Sequence, residues 1–146
     1  MSNALADTLR NAAAAGDADG VLAAMNAGAD VNARGEYGDA ALNLAAENGH
    51  ADIVAALLGA GADVENLGGA DKTPIMNAAF AGHVNIVRVL LANGARVSNG
   101  LISSVAMKIS ILEENAEIGM VRAEAVEAWR QFLDAMIAEQ RKQQGR

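Results

Sequence analysis

The amino-acid sequence repeats itself every 33 residues across its first 100 positions, without a gap. Three segments that share an apolar residue, an Ala-Ala pair and a glycine begin at Leu9, Leu42 and Ile75. The same interval relates five further sets of residues: Gly16, Gly49 and Gly82; Val21, Val54 and Val87; Gly28, Gly61 and Gly94; Ala29, Ala62 and Ala95; Val31, Val64 and Val97. A period of this length predicts an array of stacked structural units, each of which covers the apolar face of its neighbour.

Each period contains the signals of two helices and a turn. In the third copy, Thr73 is expected to cap the first helix, and Pro74 suits the first helical position. The small Ala-Ala pair allows a neighbouring helix to approach closely, and Gly82 tolerates the left-handed conformation that ends a helix. Residues 85–91 carry apolar side chains at helical spacing and stop before Gly94. The Gly/Asn-rich stretch 65–69 predicts the turn that leads to the next copy.

The pattern Gly-His-x-x-Ile-Val-x-x-Leu-Leu-x-x-Gly-Ala-x-Val at 49–64 and 82–97, with Thr-Pro-Ile-Met-Asn-Ala at 73–78, resembles the ankyrin repeat. The resemblance covers about residues 4–100. It implies an all-α fold, an α-solenoid of stacked helix–turn–helix units with short hairpin-like loops. The expected organisation is one domain over 1–146: an N-terminal capping repeat at 1–34, repeats at 35–67 and 68–100, and a degenerate C-terminal capping repeat at 101–146 with an extended last helix.

The copies depart from the family pattern at several places. In the first copy Asp7-Thr8 replaces Thr-Pro and Gly20-Val21 replaces Ile-Val, which indicates a polar N-terminal cap. Ala40-Ala41 replaces Thr-Pro in the second copy, which weakens the signal for the start of that helix. The histidine usual in the inner helix is replaced by Arg10, Asn43 and Met76. The inter-repeat hydrogen bonds that this histidine makes in the family are therefore not expected here.

The last third of the chain departs from the 33-residue period but keeps two helical stripes of apolar residues. The first comprises Ile102, Val105, Ala106, Ile109 and Leu112, and the second comprises Val126, Trp129, Phe132, Leu133, Met136 and Ile137. We expect a loop over 115–119 between them, a second helix that ends near Glu139, and a frayed tail. Trp129 is interpreted as core of the cap, and the alternative is a docking or dimerisation face.

Composition excludes several classes of function. The formal net charge of −7 disfavours binding to a nucleic-acid backbone or to an anionic membrane surface. The absence of cysteine excludes a disulfide framework and a thiolate metal site. The first residues carry no signal-peptide pattern, and no run of about 18 apolar residues would span a bilayer. We expect a cytoplasmic protein.

No constellation of residues predicts an enzyme, a cofactor or a metal site. His50 and His83 occupy equivalent positions about 10 Å apart, which is too far to share one tetrahedral metal. We interpret each ring as closing the turn between its two helices through nearby backbone. No serine lies in a Gly-x-Ser-x-Gly turn. Gly59-Ala60-Gly61 marks a helix end, because it lacks the strand and third glycine of a dinucleotide loop.

Function is therefore expected at the surface. In the ankyrin arrangement, the loop tips and the exposed side of the inner helices form one face, which binds partners in many members of the family. The positions of this face are Arg34, Glu36, Tyr37, Asp39, Glu47, Asn48, Leu67, Lys72, Phe80 and Ala81, with Gly69 and Ala70 beside them. Tyr37 and Phe80 are the strongest candidates, since only 3% of the chain is aromatic. The alternatives are that Tyr37 covers its own loop, that Phe80 tucks against the next repeat, and that the charged residues are solvated.

Three functions are compatible with these patterns. The first is a non-catalytic protein-binding adaptor or scaffold. The second is a homo-oligomeric assembly component that uses the C-terminal helix, and the third is a regulatory subunit whose acidic loops shield a polyanion site on an enzyme. We expect a protein partner of unknown identity and a monomeric chain, with a homodimer through the Trp129 helix as the alternative.

Overall fold

The structure is a computed structural model that describes residues 2–117, 119 and 123–145. These residues form eight α-helices and one short 3₁₀ turn, with no strand among them, so the predicted all-α fold is confirmed. The helices are α1 (Ser2–Ala15), α2 (Ala18–Asn26), α3 (Ala41–Glu47), α4 (Ala51–Gly59), α5 (Pro74–Ala81), α6 (Val84–Ala92), α7 (Asn99–Glu117) and α8 (Ala123–Gln144).

The chain divides into two compact units, residues 1–95 and residues 96–146. In the first unit the helices form the successive pairs α1/α2, α3/α4 and α5/α6. The first helices of the pairs pack side by side in the order α1, α3, α5, and the second helices follow in the order α2, α4, α6. In the second unit α7 packs against α8. The expected repeat boundaries at 34, 67 and 100 stay a prediction.

Equivalent residues of the three helix pairs are buried in the same way. Leu9, Leu42 and Ile75 are each 1% exposed, and the Ala-Ala pairs of α3 and α5 are equally inaccessible. Burial of a leucine or isoleucine side chain stabilises the fold by about 1.5–3 kcal/mol. Because alanine leaves room for close packing, the first helices of neighbouring pairs can approach one another closely.

The helix ends follow the predicted glycines but not the predicted threonine cap. Gly49 and Gly82 adopt left-handed backbone conformations with φ of 81° and 90°, as helix ends require. Thr73 is the N-cap residue of α5, yet its hydroxyl forms no capping hydrogen bond and is buried without a partner. The prediction that Thr73 caps the helix is therefore wrong, and α5 begins with Pro74 without a side-chain cap.

In the second copy, a residue inside α3 bonds the backbone at the start of that helix. Ala40 has no side chain that could cap α3, as the sequence indicated. Asn43, three residues later, accepts a hydrogen bond from the Ala40 backbone N–H at 3.1 Å. This bond satisfies one of the amide groups that the first turn of a helix leaves unpaired.

The second unit contains more helix than the sequence predicted. Helix α7 continues through 115–117, so the loop expected over 115–119 is wrong for those three residues. Position 118 lies outside the described residues, and Gly119 follows in a turn. Helix α8 continues past Glu139 to Gln144. Its end is held by the Gln143 side chain, which accepts a hydrogen bond from the Val97 N–H at 3.1 Å.

Candidate functional site

Two equivalent hairpin-like loops project from the first unit. Loop A spans residues 34–39 and precedes α3, and loop B spans residues 67–72 and precedes α5. The Gly35 N–H donates to the Asp39 carbonyl in loop A, and the Gly68 N–H donates to the Lys72 carbonyl in loop B, both at 2.9 Å. The two loops therefore present side chains from matching positions.

Two charged side chains fasten loop A to loop B. The Arg34 guanidinium donates to the Leu67 carbonyl at 2.7 Å and to the Gly38 carbonyl at 3.0 Å. The Asp39 carboxylate accepts from the Gly69 N–H at 2.9 Å. Arg34 and Asp39 are therefore more than solvated loop charges, since both hold neighbouring loops together.

A buried asparagine supports both loops from below. Asn43 is 0% exposed. Its amide nitrogen lies 3.1 Å from the Asn66 carbonyl, 3.2 Å from the Lys72 carbonyl and 3.0 Å from the Asn77 side-chain oxygen. The two protons of this amide are therefore shared among three acceptors. Its side-chain oxygen accepts from Asn66 Nδ2 at 2.7 Å. Asn43 thus replaces the family histidine with inter-repeat hydrogen bonds of its own, which the sequence did not lead us to expect.

The fastened loops and the end of α5 expose large apolar side chains. Tyr37 is 78% exposed, Leu67 is 49% exposed and Phe80 is 42% exposed. The Lys72 ammonium lies 5.3 Å from the centre of the Phe80 ring, which is a cation–π distance. The Lys72 side chain therefore reaches from loop B to the end of α5, and connects the loop tips to the exposed side of that helix.

The ten predicted partner-binding residues lie on this surface, which we call the loop face. Eight of them are exposed, and Asp39 and Lys72 are partly buried by the contacts described above. They include four pairs of equivalent repeat positions: Arg34 and Leu67, Asp39 and Lys72, Glu47 and Phe80, Asn48 and Ala81. The other two, Glu36 and Tyr37, are equivalent to the neighbouring Gly69 and Ala70. Their role in binding stays a prediction.

The tip of loop B has a strained backbone. Ala70 and Asp71 adopt left-handed conformations with φ of 58° and 55°. In loop A the position equivalent to Asp71 is Gly38, which takes φ of 91° without steric cost. An alanine in this region costs about 1–2 kcal/mol, so loop B keeps its shape only because the surrounding bonds hold it.

The two histidines join neighbouring repeats. The His50 Nε2–H donates to the Ala14 carbonyl at 3.1 Å, and the His83 Nε2–H donates to the Glu47 carbonyl at 3.0 Å. Both carbonyls belong to the preceding helix pair, so our interpretation that each ring closes its own turn is wrong. A Cβ atom added at Gly49 would lie 2.8 Å from the His83 ring, so only glycine leaves room for this contact.

The aromatic residues of the second unit are buried. Trp129 and Phe132 are 7% and 1% exposed, and their rings meet edge to face at a centroid distance of 5.9 Å. The Lys108 ammonium lies 5.0 Å from the centre of the Trp129 ring. These two rings are therefore not displayed on the surface, and a homodimer through the Trp129 helix stays an untested alternative.

The described residues contain neither a candidate metal cluster nor a candidate membrane-spanning helix. No group of three or more histidine, aspartate or glutamate side chains in this part of the chain is placed to hold a metal ion. In the same part, no helix is long and apolar enough to cross a membrane.

Comparison with known proteins adds one finding. Residues 9–100 match a family model described as ankyrin repeats (3 copies). No curated protein matches the chain. The match covers the second half of α1, the helices α2 to α6 and both loops that carry the loop face.

Proposed function

The chain belongs to the ankyrin-repeat family, and from this premise we propose that it is a non-catalytic adaptor or scaffold that binds a protein partner through the loop face. Ankyrin repeats are generally protein–protein interaction modules, and proteins built from them are typically not catalysts. The adaptor role and the position of the binding surface are our inference for this chain.

The observation that carries the proposal is the exposure of Tyr37 and Phe80 on a surface whose backbone is already fixed. Exposed aromatic side chains are the residues that most often contribute binding energy at protein interfaces. The bonds from Arg34 and Asp39 hold the two loops together in the free protein. A partner therefore meets an ordered surface, and little conformational entropy is lost when it binds.

Affinity capture from the native cell, followed by binding measurements with the captured protein, tests this proposal. The test variant combines Tyr37→Ala with Phe80→Ala. The matched control combines Met107→Ala with Ile111→Ala, which removes two side chains of α7 that are 69% and 53% exposed but do not belong to the loop face. Both variants remove two exposed apolar side chains, so a general loss of surface apolarity affects them alike.

We expect the test variant to bind the captured partner about 100-fold more weakly than the wild type. This corresponds to about 1.4 kcal/mol for each aromatic residue. The control variant should bind with unchanged affinity. Wild-type affinity in the test variant, or an equal loss in the control, would show that the partner does not use the loop face.

A further inference from the structure

The loop face carries three carboxylates that nothing in the described residues engages. Glu36 lies in loop A and Glu47 ends α3. Asp71, which precedes Lys72 in loop B, is counted with the loop face from here on, and all three residues are exposed. No hydrogen bond or ion pair involves their side chains within residues 2–117, 119 and 123–145. These charges are therefore available to a molecule that covers the face.

The cations of the same surface are already in use. Arg34 donates to two backbone carbonyls, and the Lys72 ammonium lies over the Phe80 ring. With Asp39 included, the loop face has four carboxylates and two cations. The surface that surrounds the exposed aromatic residues is therefore acidic, in agreement with the net charge of −7 for the whole chain.

The repeat sets the distance between an acidic and an apolar position on the face. Glu47 and Phe80 occupy equivalent places on α3 and α5, which pack side by side. Neighbouring packed helices lie about 10 Å apart. An extended chain covers this distance in about three residues, since each residue adds about 3.3 Å.

From this arrangement we propose that the loop face selects a protein segment in which a lysine or arginine lies about three residues from a large apolar side chain. The apolar side chain contacts Phe80, and the basic side chain pairs with the carboxylate of Glu47. Lys72 covers Phe80 in the free protein and moves aside when the segment binds. This inference rests on the proposed function, because it names the partner of the same face.

Selection from a library of random displayed peptides tests this specificity. The peptides are about twelve residues long, so that they cross both positions. The full chain is the bait, and the counter-selection bait is the Tyr37→Ala, Phe80→Ala variant. We expect the enriched sequences to combine a basic residue with a leucine, phenylalanine or tryptophan at a separation of about three, and their binding to weaken as salt screens the charges.

A matched pair of variants then tests the role of Glu47. Glu47→Gln and Glu114→Gln each remove one exposed glutamate charge, but Glu114 lies on α7 and not on the loop face. We expect about a threefold loss of affinity for the selected peptide with Glu47→Gln, as is usual for one exposed charge pair, and no loss with Glu114→Gln.

Enrichment of acidic or uncharged peptides, no enrichment at all, or an equal loss in both variants would overturn the proposed specificity. The proposed function is tested by a different measurement, the binding of the captured cellular partner. If the cellular partner still requires Tyr37 and Phe80 while the library selects no basic residue, the loop face binds a partner of different chemistry.

Discussion

Asn43 joins the second helix pair to the third through hydrogen bonds to Lys72 and Asn77. Replacing Asn43 with alanine removes the acceptor of the Ala40 N–H and one of the hydrogen-bond acceptors of the Asn66 side chain. The same change leaves the Asn66 carbonyl, the Lys72 carbonyl and the Asn77 side-chain oxygen without this donor. These groups surround a side chain that is 0% exposed, so solvent does not replace the lost partner without local opening.

The expected cost follows from the number of groups affected. A net hydrogen bond contributes about 1 kcal/mol, and a buried group left without a partner costs about 1–3 kcal/mol. Five affected groups, some of which keep a second partner or relax, lead us to expect a decrease of about 3 kcal/mol in the free energy of unfolding for Asn43→Ala. With a urea dependence of about 1.5 kcal/mol per molar, the unfolding midpoint should fall by about 2 M.

Urea unfolding followed by far-ultraviolet circular dichroism measures this decrease. The matched control is Asn48→Ala, since Asn48 is also an asparagine near the end of α3. It is exposed, and its side chain donates to the Leu44 carbonyl of its own helix, at 2.8 Å. The control should lose less than about 0.5 kcal/mol. An ordinary surface substitution changes the free energy of unfolding by about 0.5 kcal/mol or less. If the decreases for Asn43→Ala and the control differ by no more than this, the claim that this network holds the repeats together is refuted.

Two further substitutions test the backbone geometry of the first unit. Gly49→Ala should reduce the free energy of unfolding by about 1 kcal/mol more than Gly61→Ala. Both glycines have positive φ, but only a Cβ at Gly49 meets the His83 ring. Equal losses in urea unfolding would contradict this contact. Ala70→Asn should increase the free energy of unfolding by about 0.5–1 kcal/mol and so raise the midpoint of thermal unfolding, because asparagine tolerates the left-handed tip of loop B better than alanine does. A lower midpoint would show that the tip is not strained.

The period of the sequence was sufficient to predict the helix pairs of the first unit. An apolar residue, an Ala-Ala pair and a glycine recur at 33-residue intervals, and each of these signals acts within a few residues of itself. Local signals do not depend on the rest of the fold, so the ends of α5 and α6 were predicted closely. The exposure of Tyr37 and Phe80 was expected from their repeat positions and is observed.

The length of α7 was missed because the loop over 115–119 was inferred from the loss of the repeat alignment. The residues at 113–117 contain no proline or glycine, and the helix continues through them. The helix propensity of these residues predicts the extent of α7 better than the repeat alignment does, since a degenerate repeat no longer carries its family's turn signals.

By itself, then, the sequence determined the repeat, the pairing of helices and the positions of the loop tips, because these follow from patterns within one 33-residue copy. Only the tertiary structure decided which polar groups meet. Arg34 reaches the Leu67 carbonyl, Asn43 reaches Asn77, and His83 reaches the Glu47 carbonyl across 33 to 36 residues of chain. Such bonds form or fail over differences of about an ångström, and those distances exist only after the repeats have stacked.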